Sequence, residues 1–279
     1  MARLENSVRK WARGESRQLH RDIFTAARFC IEDGWDRNRI FEFLRKACNV
    51  TQARTVPDRE IHSAIDYAFD NKPSKRWPST SADLRSSLVM AYGNSDRFSK
   101  VPLRVRSQKQ LLSGLFLDNE FVCVGDISFS VSKPLADWTD AELSQAQYLV
   151  PNPMRGAEGL TYEGKPSAHS LSNVHHHRHL VVEFDSGGIS EHLSVLDWLS
   201  NLAPLQLIVF SGSKSMHGWF YIEAMTEDAR EAFFTQAVRA GADPTLWSPV
   251  QFTRLPLGFN SKSGVQQTVH YINFTKQNP

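Results

Sequence analysis

The sequence predicts an α+β protein in which a small helical bundle precedes a mixed sheet layered with helices. Three observations carry that expectation. Apolar residues recur three and four apart over the front of the chain, strand-like runs alternate with two helical stretches after Leu111, and the break KPSKRWPST, over 72–80, separates the two regimes.

Over 16–33 the apolar stripe is Leu19, Ile23, Ala26, Ala27 and Cys30, with Gly34 placed to cap the helix. Asp36 is positioned to N-cap a second helix carrying Ile40, Phe43 and Leu44. A third starts at Pro57-Asp58 and buries Ile61, Ile65, Ala68 and Phe69. The expected organisation is a helical domain over 1–78, a weakly patterned connector over 79–110 and the mixed domain over 111–279. In the last, strands are expected at 121–124, 179–184, 205–210, 218–222 and 268–273, with helices at 189–202 and 226–240 and Gly241 as the second helix's C-cap.

Hydrophobic residues make up 41% of the 279 and charged residues 22%, ordinary values for a globular chain. No apolar run approaches the roughly 20 residues of a membrane span, and the N-terminus lacks the apolar segment of a secretory signal. An intracellular, cytoplasmic protein without membrane contact is expected. Cys30, Cys48 and Cys123 form no CxxC pair, so buried free thiols are expected rather than a zinc site or disulfide framework. Charge is uneven: residues 1–78 hold 16 Lys and Arg against 11 Asp and Glu, and 79–279 hold 16 against 19. A basic front end suits contact with a polyanion.

Three clusters carry chemistry. In the first, LVVEFDSGG, Glu183 and Asp185 project to one face of a strand while Val182 and Phe184 face the core. Paired carboxylates repel unless a cation lies between them, and hard oxygen donors suit Mg²⁺ or Mn²⁺. The second, FSGSKSMHGW, is a hairpin whose Ser213, Lys214, Ser215 and His217 can receive anionic oxygens. The third offers Asp243, then Arg254 and Lys262, a carboxylate and two cations.

The order of these clusters resembles the archaeo-eukaryotic primase superfamily, especially primase-polymerases of plasmids, phages and integrated elements. The segments YLVPNPMRG, HLVVEFD, APLQLIVFSGSKSMHGWF and GADPTLWSPVQFTRLPLG look like a bacterial branch of it. The front helices resemble the small primase C-terminal-type helical domain. The resemblance implies an RRM-like core and a DNA primase-polymerase that makes or extends primers on single-stranded DNA during replication of a mobile element. It implies two Mg²⁺ or Mn²⁺ ions on Glu183, Asp185 and Asp243, with His217 also catalytic. NTP or dNTP substrates would be held by Ser213, Lys214, Ser215, His217, Arg254 and Lys262. The pair here reads Glu-x-Asp where many relatives carry Asp-x-Asp or Asp-x-Glu. No GxxxxGK[ST] loop occurs, so unwinding falls to a helicase in trans or on another region.

Two rival readings are a non-catalytic nucleic-acid-binding initiation module and a rolling-circle nickase using His175 and His177. The nickase also needs a nearby helical tyrosine, and the expected helices at 189–202 and 226–240 contain none.

Overall fold

The computed structural model describes residues 19–32, 35–48, 56–70, 77–93, 97–99, 102–126, 128–161 and 164–274. They belong to two compact units, Met1–Arg76 and Trp77–Pro279. The chain is α+β, and its strand pairings are antiparallel.

In the first unit, helices α1 (Leu19–Glu32), α2 (Arg37–Cys48) and α3 (Asp58–Asp70) enclose one apolar cluster. Ile23, Ala26, Ala27, Cys30, Ile40, Leu44, Ile61, Ile65 and Ala68 are buried, as helical periodicity requires. Phe43 is only partly buried, edge-on to Trp35 at 5.4 Å. Asp36 accepts the Arg39 amide at 2.9 Å, so the expected N-cap forms. Gly34 and the side chains of Leu19 and Phe69 lie outside the described residues.

In the second unit, α4 (Ala82–Tyr92) and α5 (Gln108–Leu112) precede the sheets. One sheet orders β2 (Ser130–Pro134), β1 (Phe121–Gly125), β3 (Tyr148–Leu149) and β9 (Thr253–Arg254). The other orders β12 (Thr268–Ile272), β7 (Leu205–Phe210), β8 (Met216–Tyr221) and β6 (His179–Val182). Two small hairpins pair β4 (Gly159–Leu160) with β5 (Pro166–Ser167), and β10 (Phe259–Asn260) with β11 (Val265–Gln266). Helices α6 (Asp140–Leu143), α7 (Ile189–Leu199) and α8 (Glu227–Arg239) complete the unit. A core through both four-stranded sheets includes Val122, Leu149, Val182, Ile208, Trp219 and Phe234. All three cysteines are buried, and none forms a disulfide among the described residues.

Strand β6 stops at Val182 rather than 184, because Phe184 makes only an isolated bridge, to Ala242. Strand β8 begins at Met216, two residues earlier than expected, because the turn after Phe210 is tight. Gly241 caps α8 as expected. Its φ is +103°, its amide donates to Val238 at 2.9 Å, and the Ala242 amide reaches Ala237 at 3.0 Å, the paired bonds of a Schellman motif.

The connector expected over 79–110 instead carries α4 and α5. Helix α4 packs along α7, and Ser81 caps it by accepting the Leu84 amide at 3.2 Å. Its apolar pattern is thin: Leu88 is buried, Leu84 is partly buried and Met90 is 79% exposed. Tertiary packing, rather than a periodic stripe, holds it. Among the described residues no helix is long and apolar enough to cross a membrane.

Candidate active site

The chain leaves β6 through Glu183, turns Phe184 inward against His192 with rings stacked at 4.8 Å, and brings Asp185 back to the open side. The alternation of side chains therefore survives past the last paired residue. Glu183 and Asp185 both line a cleft of about 390 Å³ where the two four-stranded sheets meet. Strand β3 contributes Tyr148 and β9 contributes Thr253 and Arg254. The β7–β8 hairpin adds Ser211, Ser213, Lys214, Ser215 and His217, and Asn260, Lys262 and Ser263 close the far side. The volume lies within the range of small-molecule pockets.

Burial pushes the Glu183 carboxyl up to about 7, and the neighbouring Asp243 and Asp185 add to the rise against a partial offset from Arg254. Its Oε2 lies 3.1 Å from His217 Nδ1. Burial also drives the His217 imidazole down to about 3, with Arg254 and His192 contributing. Burial thus keeps His217 neutral near pH 7, so its 3.1 Å approach to Glu183 is a close polar contact rather than an ion pair. The ring's other nitrogen, Nε2, is 3.2 Å from the Ser215 hydroxyl, and Nδ1 is 3.3 Å from Thr253 Oγ1. Both ring nitrogens therefore engage hydroxyl groups, Nε2 that of Ser215 and Nδ1 that of Thr253.

The sequence assigns His217 to a triphosphate. In the structure His217 lines the cleft but is 2% exposed, with both ring nitrogens engaged by Ser215 and Thr253. Lys214 is likewise engaged: its Nζ donates to the Asp185 carbonyl at 2.5 Å, tying the hairpin to the acidic loop. Asn260 donates to the Ser211 carbonyl at 2.9 Å and Ser263 to the Gly212 carbonyl at 2.5 Å, fixing the hairpin from the opposite side.

Arg254 lies over the Tyr148 ring at 4.8 Å, and its Nη1 is buried with no hydrogen-bond partner. An unpaired guanidinium nitrogen costs free energy, and a ligand oxygen would relieve that cost.

Asp243 departs from expectation. Its amide donates to the Glu183 carbonyl at 3.0 Å, but its carboxylate accepts from the Thr245 amide at 2.9 Å and the Thr245 hydroxyl at 2.8 Å. It caps the 3₁₀ turn Pro244–Trp247, and it does not line the cleft. Glu183 and Asp185 fit a hard divalent cation by their chemistry, since burial, with the charges of Asp243 and Asp185 added, holds Glu183 protonated to unusually high pH, a cost a cation would relieve. Asp243 as placed does not join them. Among the described residues no three His, Cys, Asp or Glu side chains form a group that could hold a metal ion.

His175, His176 and His177 lie on no strand and away from the cleft. His176 pairs with Glu223 at 2.9 Å, and His177 sits beside Trp247 at 6.2 Å. The sequence reading did not single out Tyr148, Thr253, Asn260 or His192. His192 donates from Nε2 to the Ser186 carbonyl at 3.0 Å and accepts the Met216 amide at 3.4 Å, joining the acidic loop to the hairpin. Tyr148 reaches the site by pairing with Arg254, Asn260 by its side-chain hydrogen bond to the Ser211 carbonyl, and His192 from α7, contacts that the local sequence does not display.

No protein-family model and no curated protein matches the chain. Among solved structures the chain is similar to the AEP domain of the cyanophage S-2L primase-polymerase, at 17% identity and a TM-score of 0.42, over 60% of this chain and 91% of that one. At that distance the likeness assigns no activity.

Proposed function

We propose that the chain is a nucleotidyltransferase of the primase-polymerase class, joining nucleotides into a strand on a single-stranded DNA template with Mg²⁺ or Mn²⁺. One observation supports this reading above the rest: the carboxylates of Glu183 and Asp185 share a single cleft with Arg254, Lys214 and Lys262. Acids that favour a cation and cations that favour phosphate oxygens are the two requirements of nucleoside-triphosphate chemistry. Glu183 and Asp185 would hold the metal, which when bound would polarise the α-phosphate and neutralise charge on the leaving pyrophosphate.

Arg254 would direct its unpaired Nη1 to a phosphate oxygen, and Lys262 would add a mobile charge. Ser213 and the hairpin backbone would cradle the remaining oxygens, and Lys214 would exchange the Asp185 carbonyl for phosphate. His217 would act through its neighbours, orienting Glu183 and Ser215. Asp243 would support Glu183 from behind and become a ligand only by releasing Thr245.

Labelled NTPs or dNTPs incubated with single-stranded template and Mn²⁺ or Mg²⁺ test the reading. Glu183→Ala and Asp185→Ala are expected to lower incorporation by roughly a hundredfold or more, the loss of several kcal/mol of transition-state stabilisation. Retained extension in either variant rejects the assignment. The engagement of Asp243 with Thr245 favours one second reading, a module that binds nucleotide without transfer. Metal-dependent nucleotide binding with no incorporation under any ion would select it.

A further inference from the structure

Arg85 lies on α4, outside the lining of the cleft, yet it touches both loops that carry acids. Its Nη2 donates to the Ser186 carbonyl at 2.5 Å and its Nη1 to the Ser186 hydroxyl at 3.3 Å. It also pairs with Glu191 at 3.3 Å. Ser186 directly follows Asp185, and the same carbonyl accepts from His192 at 3.0 Å.

On the other side lies Gly241, two residues before Asp243. A Cβ at Gly241 would come within 2.8 Å of Arg85 Nη1, and one at Gly187 within 2.0 Å of Nη2. Both glycines have positive φ, +103° and +101°. The guanidinium therefore fills space left open by two glycines, each within two residues of an acid.

Helix stability does not account for this placement. The side chain is 13% exposed and Nε is buried without a partner, so part of the desolvation cost is uncompensated. The cation also sits at the N-terminus of α7, where the helix dipole is unfavourable to positive charge and Glu191 provides the offset. Something other than local stability keeps it there.

We propose that Arg85 is a positioning residue: it holds the loop after Asp185 by hydrogen bonds and packs against Gly241 at the start of the Asp243 loop, and so sets where Asp185 sits in the cleft relative to Glu183. Its consequence for catalysis rests on the nucleotidyl-transfer reading; the brace itself rests on geometry. Arg85→Gln removes the fork while leaving one donor, and Arg85→Lys keeps the charge without the fork.

The test compares wild type, Arg85→Gln and Arg85→Lys by amide hydrogen exchange, melting temperature and Mn²⁺ dependence of incorporation. In Arg85→Gln, exchange is expected to quicken over both 185–188 and 242–245 while the β7–β8 hairpin stays protected. The half-saturating Mn²⁺ concentration is expected to rise roughly tenfold or more, as for other residues that orient metal ligands, with a smaller fall in kcat. Arg85→Lys is expected to recover part of both effects. Unchanged exchange in either loop, or an unchanged Mn²⁺ requirement in an active enzyme, overturns the proposal. If Arg85→Gln does not fold, Arg85→Lys decides by the same two readouts. If wild type incorporates nothing, the nucleotidyl-transfer reading fails, and the exchange result alone decides the brace.

Discussion

Glu183 concentrates the electrostatic problem of the cleft in one side chain. Burial holds its carboxyl protonated in the fold up to about pH 7, whereas in the unfolded chain it ionises near the ordinary glutamate value of 4.5. Between those values the native state binds the extra proton, so this residue's contribution to stability falls as pH rises across the window. Glu183→Gln removes that dependence and retains a hydrogen-bonding group for His217. The melting temperature of Glu183→Gln relative to wild type is therefore expected to increase from pH 5 to pH 8. Equal differences at both values would contradict the assigned cause. The pairing of Glu183 with Asp185 was legible in sequence because strand alternation is a local rule. The diversion of Asp243 was legible in principle too, since Asp followed by Pro and Thr is an N-cap with Pro at the first turn position. The sequence reading weighed the charge of Asp243 and overlooked its capping role.

At the scale of elements, the β7–β8 hairpin and the α8–Gly241 corner do most to shape the site. Strand β7 occupies the expected residues because Leu205–Phe210 is an apolar run ended by a serine- and glycine-rich turn. Helix α4 is not legible in sequence because its buried side is narrow, and Arg85 on it finds its partners about a hundred residues away. Gly241 joins the two features, since it both ends α8 and makes room for the guanidinium. Gly241→Ala should cost about 1–2 kcal/mol from the left-handed backbone alone. At this size that corresponds to a fall in Tm of roughly 2–4 °C per kcal/mol. The displaced Arg85 should lower incorporation as well. A variant with wild-type Tm and activity would show that the corner tolerates a Cβ.

For the whole molecule, the site depends on two sheets meeting. Glu183, just past β6, and His217 on β8 come from one, and Tyr148, Thr253 and Arg254 from the other, in which Tyr148 pairs with Arg254. Single-strand patterns reveal each sheet's members but not which strands become neighbours across long loops, so Tyr148 and Asn260 could not be placed in the cleft from sequence. The α+β class was readable from the change in periodicity near Leu111. The central claim is that this junction grips a divalent cation where a triphosphate lands. The most direct measurement is a crystal structure with Mn²⁺ and a non-hydrolysable nucleoside triphosphate, using Mn anomalous scattering. A Mn²⁺ peak is expected between Glu183 and Asp185, with phosphate oxygens on Arg254 Nη1. Nucleotide bound elsewhere, or Mn²⁺ absent from those carboxylates at saturating concentration, would contradict it.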